Sequence, residues 1–154
     1  MGIISPGGDA VKVGDIMTAP AISISPEESV EVAARTLTHY NIGILPVCSA
    51  DGKLRGLVTD RDLVIRCMAS GRDPGQTKVK DIMSARITSV SADMEADAAA
   101  GLMGSQQVRR LPVVANGKLQ GIVSLGDLAK RRESAEKATG ALLQITSNPA
   151  GFEG

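Results

Sequence analysis

The chain has almost no aromatic side chains: no Trp, one Tyr (Tyr40) and one Phe (Phe152) among 154 residues. Its core must therefore be built from Val, Ile, Leu, Met and Ala. Platforms that stack successive bases of a single strand need several aromatics and are excluded. Charge of either sign is not in excess, since 17 Lys and Arg face 17 Asp and Glu. Surfaces that ride on nucleic-acid backbone are basic, so bulk DNA or RNA binding is disfavoured. Cysteine is scarce too. Cys48 and Cys67 form no C-x-x-C pair and no disulfide framework. With His39 they make three Cys/His side chains, short of the four that a structural zinc site takes, so no metal is expected. No run approaches the length that spans a membrane. The start shows no basic region leading into an apolar run, and Pro6 stands where a myristoylation signal needs Ser or Thr. The expectation is a soluble protein of the reducing cytoplasm.

What is present is a repeat. Val13-Gly14-Asp15-Ile16-Met17-Thr18-Ala19 returns 66 residues later as Val79-Lys80-Asp81-Ile82-Met83-Ser84-Ala85. Ser23-Ile24-Ser25 returns as Ser89-Val90-Ser91, and Leu45-Pro46-Val47 as Leu111-Pro112-Val113, at the same spacing. One residue is then lost from the second copy. Gly56-Leu57-Val58-Thr59 returns as Gly121-Ile122-Val123-Ser124, and Asp62-Leu63 as Asp127-Leu128. So many matches in phase, with a single gap, mark a tandem duplication. The copies are read as residues 9–70 and 71–132, with a partly disordered tail at 133–154.

Each copy predicts the order β-α-β-β-α, an α+β fold. In the first, Ala21–Ile24 is a short strand. Ser25-Pro26-Glu27-Glu28 carries a helix-start signal, and the apolar positions that follow run at helical spacing to Tyr40. Ile44–Cys48 is a buried strand. Asp51-Gly52 supplies positive φ angles for a hairpin, and Leu54–Val58 returns antiparallel. A second helix runs from Asp60 to Gly71. In the second copy the first helix is rich in Ala and Gly, which predicts close packing against its counterpart or another subunit. Ala135–Ile145 reads as a short amphipathic helix, Ser147–Gly154 as disordered. Lys130-Arg131-Arg132 closes the last helix of the repeat, where positive charge is favoured.

The chemistry-bearing feature is also repeated. Gly56-Leu57-Val58-Thr59-Asp60-Arg61-Asp62 matches Gly121-Ile122-Val123-Ser124-Leu125-Gly126-Asp127. A hydroxyl residue ends a strand, and an Asp sits three residues on, in the first helical turn. The plain reading is a capping box. The same pair also suits a ribose phosphate: the hydroxyl donates to phosphate at the positive end of a helix, and the carboxylate accepts from ribose hydroxyls. His39, Cys48 and Cys67 lack partners fixed by spacing, and no clustered acid–base set points to catalysis.

The duplication, the Asp-Ile-Met starts, the two Leu-Pro-Val strands and the two Gly-h-h-Thr/Ser-x-x-Asp segments (h, aliphatic) resemble a CBS-domain pair, or Bateman module. The resemblance covers residues 11–132 and extends to small bacterial stand-alone CBS proteins. It implies two repeats packed about a pseudo-two-fold axis, with adenosyl ligands held in two clefts between them. AMP, ADP, ATP, S-adenosylmethionine and NAD(H) are such ligands. Carried over residue by residue, Thr59 and Ser124 contact phosphate, and Asp62 and Asp127 contact ribose. Ile22, Thr88, Ile44, Pro46 and Pro112 lie along the adenine, while Arg109 and Arg110 reach phosphate or stay as solvated strand-edge cations. The resemblance also implies a homodimer, no required cofactor and a regulatory effect on an unidentified protein partner or on the dimer itself. A nucleic-acid-binding regulator and a purely structural dimer are the alternatives.

Overall fold

The fold is that of a computed structural model, which describes residues 10–130 and 135–146. The residues expected to be disordered at 147–154, and Arg131 and Arg132 at the expected helix end, lie outside the described residues. The elements are α1 (Val13–Ile16), α2 (Val30–Tyr40), β1 (Ile44–Cys48), β2 (Leu54–Thr59) and α3 (Asp60–Asp62), which passes into a π-helical stretch, Leu63–Met68. A short 3-10 turn at Val79–Asp81 precedes α4 (Ala96–Gln106), β3 (Arg110–Ala115), β4 (Lys118–Ser124), α5 (Leu125–Ala129) and α6 (Ala135–Thr146). Strands β1 and β2 form one antiparallel sheet, and β3 and β4 form another.

The chain folds as two compact units, and the sequence repeat is not the unit of packing. Among the described residues, one unit gathers those up to Pro20 with Thr88–Ala115 and those from Gln120 onward; the other holds Ala21–Ile87 with Asn116–Leu119. Each copy thus keeps its body and exchanges its opening segment. In the first unit, Val13 donates its amide to the Met94 carbonyl at 2.8 Å, and Thr18 and Ile122 exchange backbone bonds at 2.8 and 3.0 Å. In the second unit, Val79 donates to Glu28 at 2.8 Å, and Ser84 and Leu57 exchange bonds at 2.8 and 2.9 Å.

This exchange shifts one helix start. The expected start at Ser25 is instead a turn, with the Glu28 amide bonded to the Ser25 carbonyl at 3.1 Å. The carbonyls of Pro26 and Glu28 are taken by the amides of Lys80 and Val79, so they cannot enter a helix. Helix α2 begins at Val30, with the Ser29 hydroxyl accepting from the Val32 amide as its cap. Its buried side chains are Val30, Ala33 and Leu37, on one face. Asn41, at φ 53°, ends it in the left-handed region. Asn and Gly tolerate that region best, and Gln107 ends α4 in the same way.

The expected strand Ala21–Ile24 shrinks to a single parallel bridge between Ile24 and Val47, repeated between Val90 and Val113. The one-residue gap between the copies falls in the hairpins. The second turn has Asn116 and Gly117 both at positive φ, a two-residue loop. In the first, Gly52 alone is positive; the Asp51 carboxylate instead accepts from the Lys53 amide at 3.1 Å. The extra residue appears as an irregularity in register between Val47 and Cys48.

Both cores are aliphatic, as the lack of aromatics required. Around α4 they gather Val13, Ala99, Met103, Leu111, Val113, Val123 and Leu128; around α2, Val30, Leu37, Leu45, Val47, Val58 and Ile82. Cys67 is buried in the second of these and behaves as a small apolar filler. The small-residue face of α4 has its neighbour beyond the repeat. It packs against the chain's own α6: a Cβ on Gly104 would lie 3.1 Å from the Ala141 Cα. Among the described side chains of α6, Ala141 and Ile145 are buried, whereas Leu142 and Leu143 are exposed.

Candidate ligand-binding site

The two candidate sites are the strand-to-helix junctions, one in each unit. In the first copy β2 ends at Thr59, which stays extended at φ −118° while the chain turns into α3. The Asp62 amide donates to the Thr59 hydroxyl at 3.1 Å, and the Thr59 amide donates to Asp62 Oδ2 at 2.9 Å. In the second copy the Asp127 amide donates to the Ser124 hydroxyl at 3.0 Å and the Ser124 amide to Asp127 Oδ2 at 2.9 Å. Both are reciprocal capping boxes. Each box uses one lone pair of the hydroxyl and one carboxylate oxygen. The hydroxyl proton and Oδ1 take no part in it. At Asp62, Oδ1 lies 3.7 Å from Arg66 Nε. Arg66 escaped notice in the sequence, although its spacing of four residues from Asp62 on a helix was the available signal.

A glycine makes each junction possible. A Cβ on Gly56 would lie 2.7 Å from the Ser84 carbonyl oxygen, and one on Gly121 would lie 2.6 Å from that of Thr18. The exchanged opening segment crosses the strand there, so only glycine fits.

The structure sets several of the other candidates beside these boxes. Ile44 pairs directly with Thr59 in the β1–β2 ladder, and Pro46 with Leu57. The Gly43 carbonyl accepts the Asp60 amide at 3.2 Å, and the Arg109 carbonyl accepts the Leu125 amide at 2.7 Å. Arg109 is thus tied by its backbone to the residue after Ser124. Arg109 and Arg110 are both exposed. Pro46 and Pro112 are buried, and their carbonyls are committed to the amides of Ile24 and Val90, each at 3.0 Å. Ile22 is 38% exposed on the segment leading to the Ile24 bridge. Thr88 is half-buried and lies 3.5 Å from the Gln106 side-chain oxygen.

The remaining reactive groups gather no site. Both cysteines are free thiols, and burial pushes the Cys48 thiol up from its ordinary range, against a bond from Ser23. Among the described residues, no three His, Cys, Asp or Glu side chains come together as metal ligands. No described helix is long and apolar enough to cross a membrane.

Comparison with known proteins decides the family. The CBS domain model matches twice, at residues 13–68 and 79–134. The chain belongs to the CBS domain family. It is 42% identical over 134 residues to the CBS domain-containing protein YhcV of Bacillus subtilis, covering 87% of this chain and 94% of that one. A crystal structure of Hypoxic Response Protein I with two coordinated zinc ions has a TM-score of 0.72 at 33% identity, covering 78% of this chain and 98% of that one. The CBS domain pair of protein MJ0100, solved in complex with 5-methylthioadenosine and S-adenosyl-L-methionine, has a TM-score of 0.69 at 27% identity, covering 79% and 94%. The present chain is therefore a tandem CBS pair, with one family match at residues 13–68 and the other at 79–134.

Proposed function

We propose that this CBS pair is a non-catalytic sensor of adenosyl compounds, acting as a cytoplasmic homodimer. AMP, ADP, ATP and S-adenosylmethionine are the ligands in view. Thr59 and Ser124 donate to phosphate or its substitute, Asp62 and Asp127 accept from ribose, and the neighbouring aliphatic strand residues take the adenine. Arg109 and Arg110 add charge for phosphate. The observation that carries this reading is the duplicated pairing of hydroxyl and carboxylate at a strand-to-helix junction, in a family with one solved pair holding two adenosyl ligands. Both side chains are pre-positioned by their own cap, so a ligand need not order them. Association is supported by exposed apolar side chains on one helix, with Val64, Ile65 and Met68 at 49, 51 and 69% exposure. Ligand occupancy then shifts the dimer's shape or its affinity for a protein partner.

Calorimetric titration with AMP, ADP, ATP, S-adenosylmethionine and NADH tests the proposal, beside Asp62→Ala and Asp127→Ala. Saturable binding by one of them, weakened by an Asp substitution, is expected. A folded protein that gives no heat with any of the five overturns it.

A further inference from the structure

The duplication permits a comparison of the two sites position by position, and it reveals an opposite charge pattern. Beside Thr59, the residues joined by the backbone bond next to the box are Gly43 and Asp60; beside Ser124, they are Arg109 and Leu125. The first pair carries one negative charge and the second carries one positive charge. Widening the view does not remove the difference. Gly43, Ile44, Asp60 and Arg61 sum to zero, whereas Arg109, Arg110, Leu125 and Gly126 sum to plus two; Arg66, beside Asp62, adds a positive charge that the sequence repeats as Arg131. The Asp60 carboxylate turns toward Gly43, with Oδ2 3.6 Å from where a Cβ would stand. Its Oδ1 accepts from the Arg61 amide at 2.8 Å. The position that holds an arginine in one copy therefore faces a carboxylate in the other.

We propose that the two sites sort adenosyl ligands by charge. This rests on the adenosyl-binding reading above. The Ser124 site takes polyphosphorylated nucleosides, because Arg109 and Arg110 supply charge-assisted donors for phosphate oxygens and no acidic side chain replaces Leu125. The Thr59 site takes adenosyl compounds without phosphate, neutral or cationic, because Asp60 repels phosphate and attracts a cationic substituent. One chain then reads two quantities: a nucleotide at one junction, an uncharged or positively charged nucleoside derivative at the other. These charges are exposed and therefore screened, so the sorting weakens as salt rises.

The test uses the full chain with adenosine, ATP and S-adenosylmethionine as probes. Asp127→Ala isolates the Thr59 site and Asp62→Ala isolates the Ser124 site, each checked for fold by thermal melting. The expected ratio of ATP affinity to adenosine affinity is at least about tenfold higher at the Ser124 site, for a difference of two charges, and falls in high salt. Exchanging the charges, with Gly43→Arg and Asp60→Leu in the Asp127→Ala background, raises that ratio about tenfold at the Thr59 site. A Cβ at Gly43 is accommodated, since within 4 Å it meets only the Asp60 carboxylate that the exchange removes. Should the exchange impair folding, two milder variants carry the test: Asp60→Asn raises the ratio at the Thr59 site, and Arg109→Gln lowers it at the Ser124 site. Equal ratios at both sites, unmoved by these substitutions, overturn the sorting and leave adenosyl binding standing. Failure of the unsubstituted chain to bind any probe overturns both.

Discussion

Thr59 and Asp62 hold each other in place, each donating its backbone amide to the other's side chain, at 2.9 and 3.1 Å. A residue pair offered for ligand binding is thus already part of the fold. On the proposed function, stability and affinity are coupled at this point. Thr59→Ala is expected to cost about 1 kcal/mol of stability, and Ser124→Ala the same, by loss of the cap. Thr59→Ser should retain both cap and affinity. Urea denaturation alongside ligand titration checks this; an alanine variant as stable as the parent shows that the cap is dispensable.

The glycines of the repeated motif answer to a different neighbour. Gly121→Ala drives a Cβ to within 2.6 Å of the Thr18 carbonyl oxygen and 2.9 Å of Met17 Sδ. Backbone on the far side cannot yield as a side-chain tip can. We expect a loss of roughly 1–3 kcal/mol, and a like loss for Gly56→Ala. Thermal melting reads it directly, and an unchanged midpoint contradicts the close crossing of the opening segment.

Helix α4 contains two glycines with opposite expectations. A Cβ at Gly101 meets nothing within 4 Å, so Gly101→Ala should stabilise by about 0.5–1 kcal/mol through helix propensity alone. Gly104 faces α6, where even a Cβ sits 3.1 Å from the Ala141 Cα. Gly104→Val should therefore push α6 off. Thermal melting should then give a lower midpoint than in the parent, and an equal midpoint would count against the contact.

The ion pairs between Glu27 and Lys78 and Lys80, at 2.9 and 3.1 Å, predict a weak, salt-sensitive pH dependence. The Lys78 hydrogen bond, then that of Lys80, holds the Glu27 carboxyl below its ordinary 4.5. Its stabilisation is full above that value and is lost as pH falls through the lowered one. Lys78 is shifted up from 10.5 by the Glu27 hydrogen bond, so its share is present below that value and is lost as pH rises through the raised one. Glu27→Gln should flatten both ends of the stability profile, and added salt should do the same to the parent. Profiles that superimpose would show the pairs to be without effect.

Much of this was legible because the chain says everything twice. The duplication disclosed the family, both junctions and the paired hydroxyls and carboxylates, since accidental matches do not stay in phase. An aliphatic core followed from Tyr40 and Phe152 standing alone. The helix start at Ser29 was hidden, because Ser25 carries a better local signal and loses only when distant amides claim the carbonyls of Pro26 and Glu28. The partner of α4 was hidden as well. Small residues announce close approach but not what approaches, and here it is α6, beyond the repeat. The collapse of Ala21–Ile24 to one bridge is also tertiary: residue types favour a strand, but Ile24 alone makes the ladder contact with Val47.

The exchanged opening segments bear on where this chain can be divided. A cut in the loop at Gly71–Gly75 separates the copies as genes would count them, yet leaves each fragment holding a piece that the other's interior requires. Val13 would remain with the half that does not bury it, and Val79 likewise. Two such fragments can be made whole only by trading those pieces back. A single copy cut from this chain faces the same shortage, which the opening segment of a sister molecule would fill. Joining two copies end to end turns that loan between molecules into one within a single chain.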